Sequence, residues 1–289
     1  MLRGAELALE KEAAAELVVL DSFGENREEQ AAANARRAAA DEGALAYLGD
    51  FHSSQVLASA PILGEAGVLQ VAPVATFVRL GGPTLIRLLP HDGVGAAAIA
   101  DWLVGAGMAE LLIVHDHDRD YGVSVGAMCS EAARARGLVV RSRPIWNAEE
   151  AWAADVGAAD AVLYVGVAGS GAVGLWRDLH DYDPNLWLLG SDGVAQEWLA
   201  HELDDSVAER TRFFVPQRAP FAFYGYEAMA LILDSIASGR DRAGAVAAAR
   251  ATRDRESVIG RYSIDEEGHT TTTAYGRLAV VDGALVWDR

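Results

Sequence analysis

The segment HDHDRDYG, residues 115–122, holds two histidines and three aspartates within six positions. Imidazole and carboxylate groups can ligate zinc or manganese, and His115 and His117 would lie on the same side of an extended segment. A structural metal site, however, holds its ligands on fixed elements, and no other histidine–carboxylate group in the sequence has ligand-like spacing. We therefore predict no metal site and interpret the segment as the polar end of a buried strand.

The segment GSGAVG, residues 169–174, matches the G-x-G-x-x-G pattern of dinucleotide-binding turns and precedes a predicted helix. Its glycines would let a pyrophosphate approach the helix N-terminus, while Asp192, after the next strand, would accept a hydrogen bond from a ribose hydroxyl. The pattern normally lies in the first strand–helix unit of its domain, whereas this one lies in the middle of the chain. A nucleotide-dependent oxidoreductase therefore stays as an alternative, and the favoured interpretation is a glycine-rich turn without a cofactor.

Composition and motif content argue against several other classes of protein. The 24 basic and 42 acidic residues give a net charge of -18, and nucleic-acid binding needs a basic face instead. No apolar run approaches the ~18 residues of a membrane-spanning helix. Nucleophilic catalysis has no support, because G-x-S-x-G is absent and Cys129 lies in a predicted helix as a small core residue. We predict a protein that is not an enzyme, binds no nucleic acid and does not span a membrane.

Runs of leucine and β-branched residues alternate with helical patterns through most of the chain, which is typical of an α/β protein with parallel sheets. Strands are predicted at residues 16–21, 44–49, 68–72, 110–115, 138–143, 161–167, 186–190 and 212–215. Helices are predicted at the N-terminus and at residues 27–41, 54–64, 93–107, 122–136, 172–181 and 221–239. The C-terminal segment is predicted to form short antiparallel strands, with turns at Glu267-Gly268 and Asp282-Gly283.

Polar residues follow several predicted strands, at the sheet edge where ligands of parallel α/β proteins bind. Ser53 and Ser54 begin a helix, where hydroxyls and free amides can bind a carboxylate. Thr76 offers a hydroxyl, Tyr121 an aromatic wall and Asp192 a carboxylate. This set suits a small zwitterion whose ammonium group pairs with Asp192, although each residue alone could equally be a cap, a packing residue or a turn former.

Several segments together resemble the Leu/Ile/Val-binding protein family, the type I periplasmic substrate-binding proteins of ABC transporters. They occur in the family's order and spacing over essentially the whole chain: GDFHSSQ, APILGEAGVLQVAPVAT, RLLPHDGVGAAAIADWL, LLIVHDHDRDYG and VIGRYSIDEEGHTT. The resemblance implies a two-lobed periplasmic-binding-protein-like type I fold, each lobe a parallel sheet flanked by helices, closing on an amino acid. We expect lobe 1 to comprise residues 1–91 and 219–274, and lobe 2 residues 92–218 and 275–289.

Carried over residue by residue, the resemblance implies ligand-binding positions in lobe 1. The serine-rich helix start that holds the ligand carboxylate corresponds to Ser53, Ser54 and Gln55, with Gln55 where a third hydroxyl is expected. The strand end that contributes a backbone group and a hydroxyl corresponds to Val74, Ala75 and Thr76.

In lobe 2, Tyr121 matches the tyrosine of the family's Tyr-Gly motif. Asp192 falls where the family has a carboxylate for the ligand's amino group. Ala168, followed by Gly169, replaces the family's aromatic residue after the sixth strand, so one wall of the pocket is expected to be altered or wider.

The family's signal peptide, first strand and following loop have no counterpart here, because RGAELALEKEAA matches the family's first helix. In that family the first strand lies between the two strands predicted here at residues 16–21 and 44–49. A gap would leave backbone amides and carbonyls unpaired on both sides. We therefore expect lobe 1 to be partly rearranged, or completed by another chain, with lower stability and weaker ligand binding.

The sequence thus predicts the substrate-binding component of an ABC importer, with a small amino acid or a related amide or organic acid as ligand. The resemblance implies an ABC transporter permease as partner, no cofactor, and an extracytoplasmic location in the periplasm or cell envelope. Besides the oxidoreductase above, a cytoplasmic small-molecule sensor of the same fold stays open, since some relatives regulate rather than transport.

Overall fold

The computed structural model describes residues 1–10, 15–22, 26–115, 120–145, 153–166, 171–216, 219–273 and 275–288. The chain divides into two compact units, each made of two stretches of sequence. Unit 1 comprises Met1–His91 and Gln217–Ala274, and unit 2 comprises Asp92–Pro216 and Tyr275–Arg289.

Helices and strands alternate through most of the described residues. The strands are β1 (Ala46–Leu48), β2 (Leu69–Ala72), β3 (Leu85–Arg87), β4 (Glu110–His115), β5 (Val139–Pro144), β6 (Ala161–Val165), β7 (Trp187–Gly190), β8 (Thr211–Val215), β9 (Gly276–Val281) and β10 (Ala284–Trp287). The helices are α1 (Leu2–Leu9), α2 (Arg27–Ala40), α3 (Ser53–Glu65), α4 (Asp92–Gly105), α5 (Asp120–Ala135), α6 (Ala153–Val156), α7 (Ala172–Tyr182), α8 (Glu197–His201), α9 (Asp205–Glu209), α10 (Phe221–Gly239) and α11 (Arg242–Arg250). The predicted α/β class, with parallel sheets flanked by helices, is confirmed.

Unit 1 contains a three-stranded parallel sheet in the order β1-β2-β3. Every residue of the central strand β2 is buried, as expected for a parallel strand covered on both faces. Helix α1 packs against α10. The two helices are so close at Gly4 that an added Cβ would lie only 1.9 Å from Ala222 O. The sequence interpretation missed β3, which has only three residues between Pro83 and Pro90 and is too short to show a period.

The strand predicted at residues 16–21 is wrong. Residues 15–22 take part in no sheet ladder among the described residues. Side chains hold the segment at its end instead, since Asn34 Nδ2 donates to Asp21 O at 2.9 Å and Gln55 Nε2 donates to Ser22 O at 2.8 Å. Val18 and Val19 remain 56% and 58% exposed. A run with high β propensity forms no strand here because it has no ladder partner among the described residues, and Leu17 packs only partly buried against a hydrophobic cluster.

Unit 2 contains a seven-stranded sheet in the order β10-β9-β8-β7-β6-β4-β5. Strands β4 to β8 run parallel, whereas β9 and β10 are antiparallel to their neighbours. Two hydrophobic clusters form its core, and the largest fully buried side chain is Trp176. The turn predicted at Asp282-Gly283 joins β9 to β10, with positive φ at both residues.

Among the described residues, we find no helix that is both long and apolar enough to cross a membrane.

Candidate functional site

The N-terminus of α3 lies in unit 1, directly after the turn that follows β1. His52 is its N-cap residue, and Gln55 Oε1 accepts a hydrogen bond from the His52 amide at 3.2 Å. Because Gln55 Nε2 also binds Ser22 O, the 1% exposed Gln55 side chain joins the helix start to residues 15–22. Its two polar ends are therefore engaged within the protein.

Ser53, the first residue of α3, lies beside the segment that follows β2. Its Oγ accepts hydrogen bonds from the amides of Thr76 at 3.3 Å and Phe77 at 3.2 Å. A hydroxyl that accepts two amides keeps its own proton for a further acceptor, such as a carboxylate oxygen. The Thr76 side chain is also buried here, while Val74 and Ala75 direct their side chains into two hydrophobic clusters. We call this arrangement of Ser53, Thr76 and the Phe77 amide the Ser53 centre.

Ser54 has a different environment from Ser53. It is exposed, and its hydroxyl binds Glu28 in the first turn of α2, which lowers the pKa of that carboxyl. Nearby, Arg27 Nη1 and His52 Nε2 are 3.0 Å apart, and partial burial followed by the Arg27 charge lowers the pKa of His52. The structure therefore brings Ser53 and Thr76 together, whereas Ser54 is exposed and binds Glu28.

The corresponding part of unit 2 is formed by Tyr121 and Asp192. Tyr121 is the second residue of α5, after β4, and Asp192 begins a 3-10 turn directly after β7 and Ser191. The Tyr121 hydroxyl donates to Asp192 Oδ1, and the backbone amide of Gly193 also binds this carboxylate. Sequence reasoning assigned both residues to strand ends, and the structure brings their side chains into contact.

Burial dominates the electrostatics of this pair. Desolvation raises the pKa of Asp192, and the hydrogen bonds from Tyr121 and Gly193 only partly oppose that shift. The pKa of Tyr121 is raised by its own burial and then by the Asp192 charge, so the phenol remains a donor. Both residues are intermediate in exposure.

Gly193 fixes the position of this carboxylate. A Cβ at residue 193 would lie 2.2 Å from Gly166 O, at the end of β6, and 3.2 Å from Tyr121 Cε1. Only glycine fits that space, so the turn carrying Asp192 lies tightly against β6 and α5.

Sequence reasoning missed two residues near this pair, Asp92 and Tyr275. Asp92 is the buried first residue of α4, and Tyr275 directly precedes β9. A Cβ on Gly95 would lie 2.4 Å from Tyr275 Cζ, so the ring packs against the first turn of α4. Burial, followed by the charges of Asp192 and Asp92, raises the pKa of Tyr275. The sequence carried one signal for Asp92, which is the acidic residue in the segment PHDGVG. This signal is weak, because an acidic residue is favoured in the first turn of any helix.

Several predicted positions lie outside the described residues. Ala168 is one of them, as are residues 116–119 of HDHDRDYG and Gly169 and Ser170 of GSGAVG. Gly171 is described and precedes α7 with φ 93. In the described ranges, no group of three or more histidine, cysteine and acidic residues is placed to hold a metal ion.

Comparison of the whole structure with solved structures defines the fold. A leucine-binding protein from Thermotoga maritima superposes with a TM-score of 0.81 and 22% identity, over 100% of this chain and 92% of that one. An ABC transporter substrate-binding protein from Desulfitobacterium hafniense in complex with leucine gives 0.83 and 20%, over 99% and 95%. A solute-binding protein from R. palustris in complex with benzoate gives 0.75 and 16%, over 99% and 89%.

The chain therefore has the α/β fold of type I periplasmic binding proteins, over its whole length. No protein-family model matches the sequence, and no curated protein matches it. At these identities the likeness shows the fold, and ligand and partner have to be argued from this chain's own residues.

Proposed function

We propose that this chain is the substrate-binding component of an ABC importer and binds a small amino acid, or a related amide or organic acid. Its fold supports the receptor role, since similar structures include proteins solved with leucine and with benzoate. In this role the protein binds and releases its ligand without a chemical step. The proposed partner is an ABC transporter permease, and the proposed location is the periplasm or cell envelope.

The observation that carries the amino-acid proposal is the Tyr121–Asp192 pair. In the described structure, no cationic side chain contributes to the pKa of Asp192. A desolvated carboxylate gains most from a positively charged partner, and a ligand ammonium group would supply such a charge. Tyr121 and the Gly193 amide use part of the acceptor capacity of this carboxylate. Each carboxylate oxygen can accept more than one hydrogen bond, so a ligand ammonium group can still donate to it.

The Ser53 centre supports the carboxylate half of the proposal. It combines a hydroxyl proton, a buried threonine hydroxyl and the first turn of a 13-residue helix. Helix N-terminal amides and hydroxyls stabilise anions without a full positive charge. The residues expected from the sequence to bind the ligand therefore include groups suited to a carboxylate and a group suited to an ammonium, and an amino acid carries both.

A thermal-shift panel tests this proposal, because a ligand that binds only the native state raises the melting temperature. The panel should contain the common amino acids, their amides, benzoate and NAD. Leucine, 3-methylbutylamine and 4-methylpentanoate form a matched set with both charged groups, only the ammonium and only the carboxylate. We expect a shift with an amino acid and smaller shifts with the two partial analogues.

Other outcomes of the same panel would change the assignment. A shift with acids and none with amino acids would favour an organic-acid receptor. A shift with NAD alone would contradict the proposal and favour the dinucleotide interpretation of GSGAVG.

A further inference from the structure

The turn between β1 and α3 contains a buried carboxyl group that ligand binding, as proposed above, does not use. Asp50 is 3% exposed and lies three residues before Ser53. Its Oδ1 accepts from the Tyr47 hydroxyl at 3.0 Å, and its Oδ2 accepts from Ser59 Oγ at 2.6 Å. Tyr47 is in β1 and Ser59 is in the second turn of α3, so Asp50 connects the strand to the helix.

Gln70 in β2 fixes the direction of these hydrogen bonds. Gln70 Nε2 donates to Gly49 O at 3.0 Å and to Ser59 Oγ at 2.8 Å. Because a carbonyl oxygen can only accept, the amide nitrogen of Gln70 has to face Gly49 and Ser59. Ser59 therefore accepts from Gln70 and donates to Asp50. Its other acceptor, Val56 O, is more distant at 3.4 Å.

With Tyr47 and Ser59 both donating, Asp50 accepts on both oxygens, which is the pattern of an ionised carboxylate. A carboxylate accepts from Tyr47 and Ser59 at once, whereas a protonated carboxyl would need one of those oxygens as an acceptor for its own proton. Ser59 already accepts from Gln70, so protonation would break or reverse a bond in the chain Gln70, Ser59, Asp50 and Tyr47. Protonation would therefore change the hydrogen bonds that join β1, α3 and the turn between them.

We propose that Asp50 is a positioning residue for the Ser53 centre: its ionised side chain fixes residues 49–52 so that Ser53 Oγ lies under the Thr76 and Phe77 amides. Gly49 supports this turn, since its amide donates to Val71 O at 2.9 Å and its φ of 147 favours glycine. The effect on ligand binding rests on the function proposed above, whereas the effect on the Ser53 hydrogen bonds does not.

The electrostatic environment of Asp50 agrees with this role. Burial raises the pKa of Asp50, and the bonds from Ser59 and Tyr47 only partly oppose the shift. Among the described residues, Tyr47 on β1 is the only titratable side chain that affects the pKa of Asp50. Helix α3 contributes the neutral Ser59, and β2 contributes the neutral Gln70. On α2, which packs against α3, Arg27 and Glu28 act on His52 instead.

A raised pKa means that the folded protein takes up this proton at a higher pH than the unfolded chain does. The stability that Asp50 contributes is complete below the unfolded pKa and is lost as the pH rises through the folded pKa. At neutral pH, Asp50→Asn should therefore leave the melting temperature unchanged or raise it. A residue with a purely structural role would instead lower it on replacement.

The test compares Asp50→Asn with the parent protein in two measurements. The first is hydrogen exchange of the Thr76 and Phe77 amides without ligand, measured over the pH range in which the protein stays folded and corrected for the intrinsic exchange rate. We expect these amides to lose protection in the parent protein on acidification. In Asp50→Asn they should show, at every pH, the low protection that the parent shows at acidic pH. The second is the affinity for the best amino acid of the panel. We expect binding about tenfold weaker at neutral pH, the scale of one charged hydrogen bond, and a smaller loss on acidification.

Two further variants keep the carboxyl group and change only its partners. Ser59→Ala and Tyr47→Phe each remove a donor that lowers the pKa of Asp50, so the loss of amide protection should begin at a higher pH in both. If Asp50→Asn does not fold, these two variants decide the question. Amide protection and pH midpoints equal to those of the parent would overturn the positioning role. If no amino acid binds the parent but the exchange results hold, only the proposed function fails.

Discussion

The Ser53 centre and the Tyr121–Asp192 pair lie after parallel strands of two different sheets, yet their electrostatics are opposite. The polar groups of the Ser53 centre are neutral hydroxyls and amides, and the Ser53 hydroxyl already binds two of these amides. Around Asp192 the available group is a carboxylate whose pKa is raised by burial. Neutral donors that are hydrogen-bonded can be buried at little cost, whereas a desolvated charge requires a charged partner. We therefore expect binding to depend far more steeply on Asp192 than on the Ser53 centre.

The strongest test of this difference is Asp192→Ala. In a complex with an amino acid, the variant would leave a desolvated ammonium group unpaired, which costs on the order of 3 kcal/mol or more. Calorimetric titration with the best ligand of the panel should show affinity lower by at least about a hundredfold. The melting temperature of the free variant serves as the control and should not fall, because Asp192 is itself desolvated. Parental affinity in this variant would remove the main support for the amino-acid proposal.

The dependence of binding on pH sharpens the same comparison. An ammonium group binds the ionised form of Asp192, so affinity should fall as the pH is lowered through the raised pKa of this carboxyl. In the free protein the sign is opposite, since the stability contributed by Asp192 is present below the unfolded pKa and is lost as the pH rises through the folded one. Titrations with leucine and 4-methylpentanoate at several pH values separate the two effects. Because 4-methylpentanoate lacks the ammonium group, its affinity should not fall as Asp192 becomes protonated.

Replacing Tyr121 by Phe should have an intermediate effect. The Tyr121 hydroxyl lowers the pKa of Asp192, so its loss should move the pH at which binding weakens to a higher value. The lost bond involves a charged acceptor, for which about 1.5–3 kcal/mol is typical. Affinity at neutral pH and the pH midpoint should therefore change together. A lower affinity with an unchanged midpoint would mean that Tyr121 acts only by contact with the ligand.

The two regions also differ in how much of them the sequence predicted. In unit 2, long apolar runs alternate with helices, and the strand at residues 110–115 was predicted with the bounds it has in the structure. In unit 1 the same reasoning predicted a strand at residues 16–21, where the segment has no neighbouring strand among the described residues, and it overlooked the short β3. Local pattern indicates a strand only where tertiary structure provides a neighbour.

The contacts within each region required coordinates. Ser53 and Ser54 are adjacent in sequence and equally suited to a helix start, but one binds the Thr76 amide and the other binds Glu28. Which hydroxyl faces which way depends on how α2 and the segment after β2 pack around α3. Asp50 was overlooked for a similar reason, because its partners Tyr47 and Ser59 come from two different elements.

The smallest expected effect is at Thr76. Thr76→Val keeps the shape and burial of the side chain and removes one neutral hydroxyl, so affinity should fall by about 1 kcal/mol, roughly fivefold. Ser54→Ala is the matched control, since it also removes one hydroxyl near the start of α3 but from an exposed position bound to Glu28. We expect Ser54→Ala to leave affinity within about twofold of the parent, because exposed interactions of this kind contribute little. Calorimetry on both variants with one ligand tests the assignment directly. If Ser54→Ala weakens binding more than Thr76→Val, the ligand carboxylate binds on the α2 side of the helix start and not at the Ser53 centre.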